Sequence, residues 1–216
     1  MLFRSIWIYD QIGEDFWTGG GTTAKAFQKE LSAVTASQID LHINSPGGEV
    51  FDGITIYNLL KQHPATITTY IDGIAASIAS VIALVGDKVV MAENALYMMH
   101  NPSGMVVGNA NDMRSMADVL DKVRGSMLKV YSGKSGKVDQ DIVPLLDAET
   151  WMNADEALEA GFIDEIGSRM DMAACARFIP VMAKAGFKRI PDNIDGEKGN
   201  PLPKDLEDIA NIHQRN

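Results

Sequence analysis

Apolar residues along this chain fall into short β-branched runs separated by stretches of helical spacing. The runs at 6–9, 39–43, 66–71, 89–92, 95–99 and 163–166 predict strands. Between them, 22–34 behind the Gly19-Gly20-Gly21 turn, 49–62 and the largely apolar 78–85 predict helices. Met113, Met116, Val119, Leu120, Val123, Met127 and Val130 recur at helix period and predict a long helix over 111–131, which reaches well beyond one sheet layer. Strands alternating with helices predict an α/β protein with largely parallel pairing. After Gly167 the pattern weakens. Residues 170–185 read as a helix interrupted by Pro180, and 190–216 read as a flexible or partner-bound tail, so the expected organisation is one unit over 1–168 followed by an extension over 169–216.

Within this pattern, Gly73-Ile74-Ala75-Ala76-Ser77 places one serine among small residues at a strand-to-helix turn. Free backbone N–H groups and the positive end of the helix dipole meet there, which is what an oxyanion forming beside Ser77 requires. The plainer alternative is a tight helix–sheet contact. Ala75 and Ala79 stand where the glycines of a G-x-S-x-G elbow would be, so the turn is not of that type. A second glycine-rich turn, Asn44-Ser45-Pro46-Gly47-Gly48, ends the run 39–43 and can offer a further N–H or hold an extended peptide. A third strand ends in Met98-Met99-His100-Asn101-Pro102, which makes His100 a candidate general base. His42 reads as structural within its strand, while His63 at a helix end and His213 in the tail lack chemical company. Methionines around His100 (Met98, Met99, Met105, Met113, Met116) fit adaptable packing, with a side-chain-accepting groove as the alternative. The turn-rich stretch around Met105-Val106-Val107 presents an edge with which an extended substrate can pair.

Composition narrows the classes. With 216 residues, 46% of them hydrophobic, the chain can bury one substantial core. The single Cys175 excludes an intramolecular disulfide framework and reads as a buried structural thiol. A net charge of -10 argues against a nucleic-acid binder. No signal-peptide layout and no membrane-length apolar run is present, which predicts a soluble cytoplasmic protein without membrane association. Ser132-Gly133-Lys134-Ser135 lacks the first glycine of a nucleotide loop, since Leu128 occupies that place; it reads as a flexible turn between helices. No His/Cys/Asp cluster has metal-ligand spacing, so neither metal nor cofactor is expected.

Together, Asn44–Gly48, Gly73–Ser77, Met98–Pro102 and Asn153-Ala154-Asp155-Glu156-Ala157-Leu158-Glu159-Ala160-Gly161-Phe162-Ile163-Asp164 resemble, in order, four motifs of the Clp protease proteolytic subunit family of the ClpP/crotonase superfamily. The resemblance covers roughly residues 5–167. It implies a repeated β-β-α superhelix with a long handle helix over 111–131, and a serine endopeptidase working inside stacked seven-membered rings. By the same resemblance Ser77 is the nucleophile, His100 the base, and the backbone N–H groups of Gly48 and Ile78 the oxyanion donors. Gly47, Met105 and Val106 line the substrate. The family's triad acid is an aspartate; the matching position here is Glu149, with Asp147 as its neighbouring alternative. The partners implied are a polypeptide substrate, further copies of the chain as a heptamer or double heptamer, and a Clp ATPase. The ATPase is the less expected of these, because the first strand-like run begins almost at the initiator. The shorter ClpP-like proteases of tailed phages, which mature the capsid, look most similar. The alternatives are a crotonase-type acyl-CoA enzyme, which uses carboxylates in place of this Ser and His, and a catalytically inactive ring or scaffold protein.

Overall fold

A computed structural model describes residues 3–14, 20–170 and 173–191. Five parallel strands form the main sheet: β1 (Phe3–Ile8), β2 (Gln38–Ser45), β3 (Thr66–Ala76), β4 (Lys88–Ala92) and β7 (Glu165–Gly167), in that order. Ile8, Ile39, Leu41, Ile43, Ile71 and Val89 from these strands are fully buried and by the register share one face of the sheet, whereas Phe3 and Trp7 on the opposite face of β1 are exposed. Helices α1 (Ala24–Leu31), α2 (Val50–Gln62) and α3 (Ile78–Ala83) connect consecutive parallel strands. The Thr23 side chain caps α1, accepting from the Ala26 N–H.

Strand β3 changes partner along its length. Thr68 to Ile71 pair with β4, and Ile74 to Ala76 pair with β5 (Leu96–Met99), which splits away from the main sheet. On the other edge of β3 the register to β2 slips between Ile43 and Ser45. Here Asp72, Gly73 and Ile74 of β3 oppose the single Asn44 of β2, and the Asn44 side chain bridges the gap: Oδ1 accepts the Ile74 N–H at 3.2 Å. The run 66–71 therefore extends to Ala76, five residues beyond the sequence expectation, and delivers Ser77 directly from the strand. A short antiparallel strand, β6 (Thr150–Met152), pairs with β5. Its three residues are too few to show a period, and it was not expected.

Helix α4 spans Ala110–Ser135, starting in a capping box of Asn109 and Asp112 and ending at Gly136 in the left-handed region. The Ser132–Ser135 stretch is thus the last turn of this helix and not a flexible turn between helices. The C-cap that stops the chain is Gly136, not Gly133. Only the C-terminal half of α4 is packed: Val123, Met127, Leu128 and Tyr131 are buried, whereas Met113 and Val119 are exposed. Next come α5 (Asp139–Asp147), with Pro144 inside it, and α6 (Ala154–Glu159). Among the described residues no helix is long and apolar enough to cross a membrane.

Beyond β7, a 3₁₀ turn (Ala173–Phe178) leads into α7 (Ile179–Lys184). Pro180 opens this helix instead of interrupting it, since a first-turn N–H has no helical partner to lose. Cys175, Phe178 and Met182 are buried against Ile74, Ala76 and Met98, forming a second small core beneath the ends of β3 and β5. The tail expected over 190–216 lies outside the described residues from 192 onward.

Candidate active site

The carboxyl ends of β2, β3 and β5 converge, the place where parallel α/β sheets present their ligand-binding turns. Each carries one of the residues singled out in the sequence. Ser77 follows β3 and is the N-terminal cap of α3, with φ 54° and ψ -128°. A non-glycine residue there carries strain of about 1–3 kcal/mol, which the surrounding structure must hold in place. Three bonds do so. The Ser77 N–H donates to Met98 O at 3.0 Å, tying the turn to β5, and the Ser77 carbonyl accepts from both the Ser80 N–H and the Ser80 hydroxyl. Ser80 Oγ lies 2.8 Å from Tyr131 Oη of α4, and Tyr97 Oη donates to Ser80 O at 3.0 Å. Ser80, Tyr97 and Tyr131 are completely buried, and burial raises both tyrosine pKa values, so the phenols stay protonated. This buried hydroxyl chain was missed at the sequence level; a second serine three residues after Ser77 is its only local sign.

His100 immediately follows β5, and its Nε2 lies 2.8 Å from Ser77 Oγ. Burial pushes the imidazole below its ordinary value of 6.5, and the charge of Glu149 acts in the opposite direction. A neutral imidazole beside a serine hydroxyl is competent to take its proton. Glu149 sits between α5 and β6, 8% exposed, at φ 49°. Ser77 and Glu149 are the two non-glycine residues with positive φ among those described, and both belong to this cluster. Glu149 Oε1 accepts the backbone N–H groups of Lys188 and Arg189 at 2.7 and 2.9 Å; no hydrogen bond joins it to His100 among the described residues. The alternative acid, Asp147, accepts instead from Asn101 Nδ2 at 2.7 Å. Of these two acids, Glu149 is the one whose charge acts on the imidazole.

The glycine pair abuts the serine turn. Gly47 has φ 91°, and a Cβ there would lie 2.7 Å from both Ala76 O and Ser77 Cβ, so no other residue fits this approach. The turn is held by Ile12, whose N–H donates to Gly47 O and whose carbonyl accepts the Glu49 N–H. Neither Gly48 N–H nor Ile78 N–H donates to a described group. Met105 and Val106 lie in the irregular stretch between β5 and α4, with Met105 fully in solvent, while Met98 and Met99 are buried as packing residues. The methionines around His100 thus divide between core and surface.

The two other histidines among the described residues stand apart, and His213 lies outside those residues. His42 stacks between Trp7 and Tyr70, with Nδ1 2.7 Å from Asp72 Oδ2, an oxygen that also accepts from Tyr9. His63 is tied to Val34 O and the Ala65 N–H. Cys175 is buried, with Sγ 3.2 Å from Asn44 Oδ1.

A serine at a strained strand-to-helix turn, hydrogen-bonded to a histidine at the end of the adjoining parallel strand, is the arrangement of the nucleophile–base pair of α/β serine hydrolases. Comparison with known proteins places the chain within this class. The Clp protease family model matches residues 20–170, and the chain belongs to that family, with its ClpP/crotonase-type fold. It is 38% identical over 130 residues to the ATP-dependent Clp protease proteolytic subunit 2 of Thermobifida fusca, covering 59% of this chain and 64% of the relative. The Porphyromonas gingivalis proteolytic subunit is 33% identical over 172 residues, 77% of this chain and 74% of the relative. That of Streptococcus mutans is 39% identical over 132 residues, 59% and 67%. The chain thus spans about two thirds of the length of the curated relatives it matches.

Proposed function

We propose that the protein is a serine endopeptidase in which Ser77 attacks the scissile carbonyl, His100 accepts its proton and returns it to the leaving amine, and Glu149 stabilises the imidazolium. The 2.8 Å contact between Ser77 Oγ and His100 Nε2 carries this reading. It places nucleophile and base within proton-transfer distance in a site where burial keeps the base neutral. The Gly48 and Ile78 N–H groups serve as the oxyanion donors: Ile78 follows Ser77, Gly48 follows the Gly47 that abuts Ser77, and neither N–H donates to a described group. Glu149 is preferred over Asp147 because its charge reaches His100, while Asp147 is engaged by Asn101. No cofactor enters this chemistry.

The substrate is an extended polypeptide lying between the Gly47 turn and Met105–Val106, whose backbone is outside every strand and available for pairing. The protease unit is residues 1–168, with 169–216 as an extension. The working form is a homo-oligomeric ring, heptameric or doubly so, in the cytoplasm, where enclosure limits access to the site. Capsid maturation and ATPase-coupled turnover are the two settings for such an enzyme; the names of the relatives, ATP-dependent proteolytic subunits, support the second. Cleavage of casein or a fluorogenic peptide by the protein, lost in Ser77→Ala with the fold retained, is the expected outcome. Cleavage that persists in Ser77→Ala removes Ser77 from the mechanism. Binding of an acyl-CoA thioester without peptide cleavage would support the crotonase alternative.

A further inference from the structure

We propose that the segment Phe187–Arg189 of the C-terminal extension is part of the active site, clamping Glu149 through two backbone N–H groups and packing His100 with an aromatic ring. The inference rests on the triad reading above and adds to it three positioning residues from outside the protease unit.

Local sequence dictates how the segment gets there. Helix α7 ends in a Schellman turn: Gly186 has φ 83°, its N–H donates to Ala183 O, and the Phe187 N–H reaches back to Met182 O at 3.1 Å. Met182 is completely buried in the small core under β3 and β5, with Phe178 and Cys175. The helix is thereby fixed to the strands that carry Ser77 and His100, and the turn directs Phe187 back toward them. The Phe187 ring lies 4.9 Å from the His100 imidazole and 6.3 Å from Trp151, centre to centre.

The next two residues turn their N–H groups onto one carboxylate oxygen. Successive N–H groups aimed at a single anion form a small anion-binding concavity. Each bond to a charged acceptor is stronger than a neutral one. Both bonds fall on Glu149 Oε1, and the charge of the carboxylate acts on the imidazole. The clamp therefore fixes the carboxylate in place without competing for His100. It also accounts for the left-handed backbone at Glu149, which the side chain's partners must hold in place.

The charged groups around the imidazole are few. Glu149 acts on it, Asp147 at the end of α5 is engaged by Asn101, and the Lys188 and Arg189 side chains are exposed. Removing the Phe187 ring admits water to a histidine whose lowered pKa comes from burial, so the pKa rises toward its ordinary value.

The test is steady-state peptide cleavage by the full chain. Proline at 188 deletes one N–H, whereas alanine keeps it. Lys188→Pro should fall about tenfold below Lys188→Ala in kcat, with KM within about twofold. In a Glu149→Gln background the same pair should differ by less than about threefold, because the carboxylate that the clamp serves is gone. Phe187→Ala provides a second reading that does not depend on a proline being tolerated: the acid limb of its kcat/KM profile should move to higher pH. Equal kcat for the two residue-188 variants, or an increase in Lys188→Pro, overturns the clamp. An unshifted acid limb in Phe187→Ala overturns the packing role. If peptide cleavage itself does not depend on Ser77, the underlying triad reading fails, and that outcome is separable because it shows in the unaltered protein against Ser77→Ala.

Discussion

At the scale of single residues, the site is concentrated in two strained positions, Ser77 and Glu149, and in one half-buried histidine between their roles. Burial lowers the His100 pKa and Glu149 raises it, with burial the larger effect. The base is the neutral form, so the acid limb of kcat/KM is predicted below 6.5, the imidazole remaining unprotonated into mildly acidic solution. Glu149→Gln removes the opposing charge. It should move that limb further down in pH while lowering kcat by about a hundredfold, and Asp147→Asn should have the smaller effect on kcat. A limb that rises in Glu149→Gln, or a larger loss in Asp147→Asn, would reassign the acid. Ser77 and His100 were legible from sequence because each ends an apolar run, where a polar residue is conspicuous. The setting of Glu149 was not, because its partners are backbone N–H groups 39 and 40 residues further along, and N–H groups leave no trace in side-chain identity.

At the scale of elements, six of the seven described strands were legible, whereas β6 and the strand ends were not. A period-two or β-branched signal marks where a strand begins. It does not tell that β3 continues through Gly73-Ile74-Ala75-Ala76, since those small residues are imposed by close packing and by the exchange of β4 for β5 as partner. Helix α4 links this strand end to the rest of the molecule through one hydroxyl. Ser80 donates to the Ser77 carbonyl, so Tyr131 is the donor to Ser80 Oγ, and the completely buried bond steadies the strained turn from the far side. Tyr131→Phe should cost about 1 kcal/mol, visible as a melting midpoint lowered by about 2–4 °C. It should also reduce kcat several-fold with KM unchanged, as the turn that presents Ser77 loosens. Unchanged kcat would show that α4 does not support the nucleophile.

At the scale of the whole molecule, Met113 and Val119 in the N-terminal half of α4 are about half exposed, and Met105 and Val107 in the stretch that leads into it are more exposed still. The periodicity over 113–130 marked one apolar face but not which part of it the chain covers itself. Val123 is turned into the chain's own core, so a charge there would unfold the subunit and not merely dissociate it. Met113→Glu with Val119→Glu should therefore dissociate the predicted ring and depress activity together, as read by multi-angle light scattering; a fully active monomer of the unaltered protein would overturn the ring. The central claim is the Ser77–His100 pair, and the most direct measurement is mass-spectrometric mapping of the adduct formed with a fluorophosphonate. The account predicts a single adduct on Ser77 that His100→Ala abolishes while the fold persists. An adduct on another residue, or none on a protein that cleaves peptides, would contradict it.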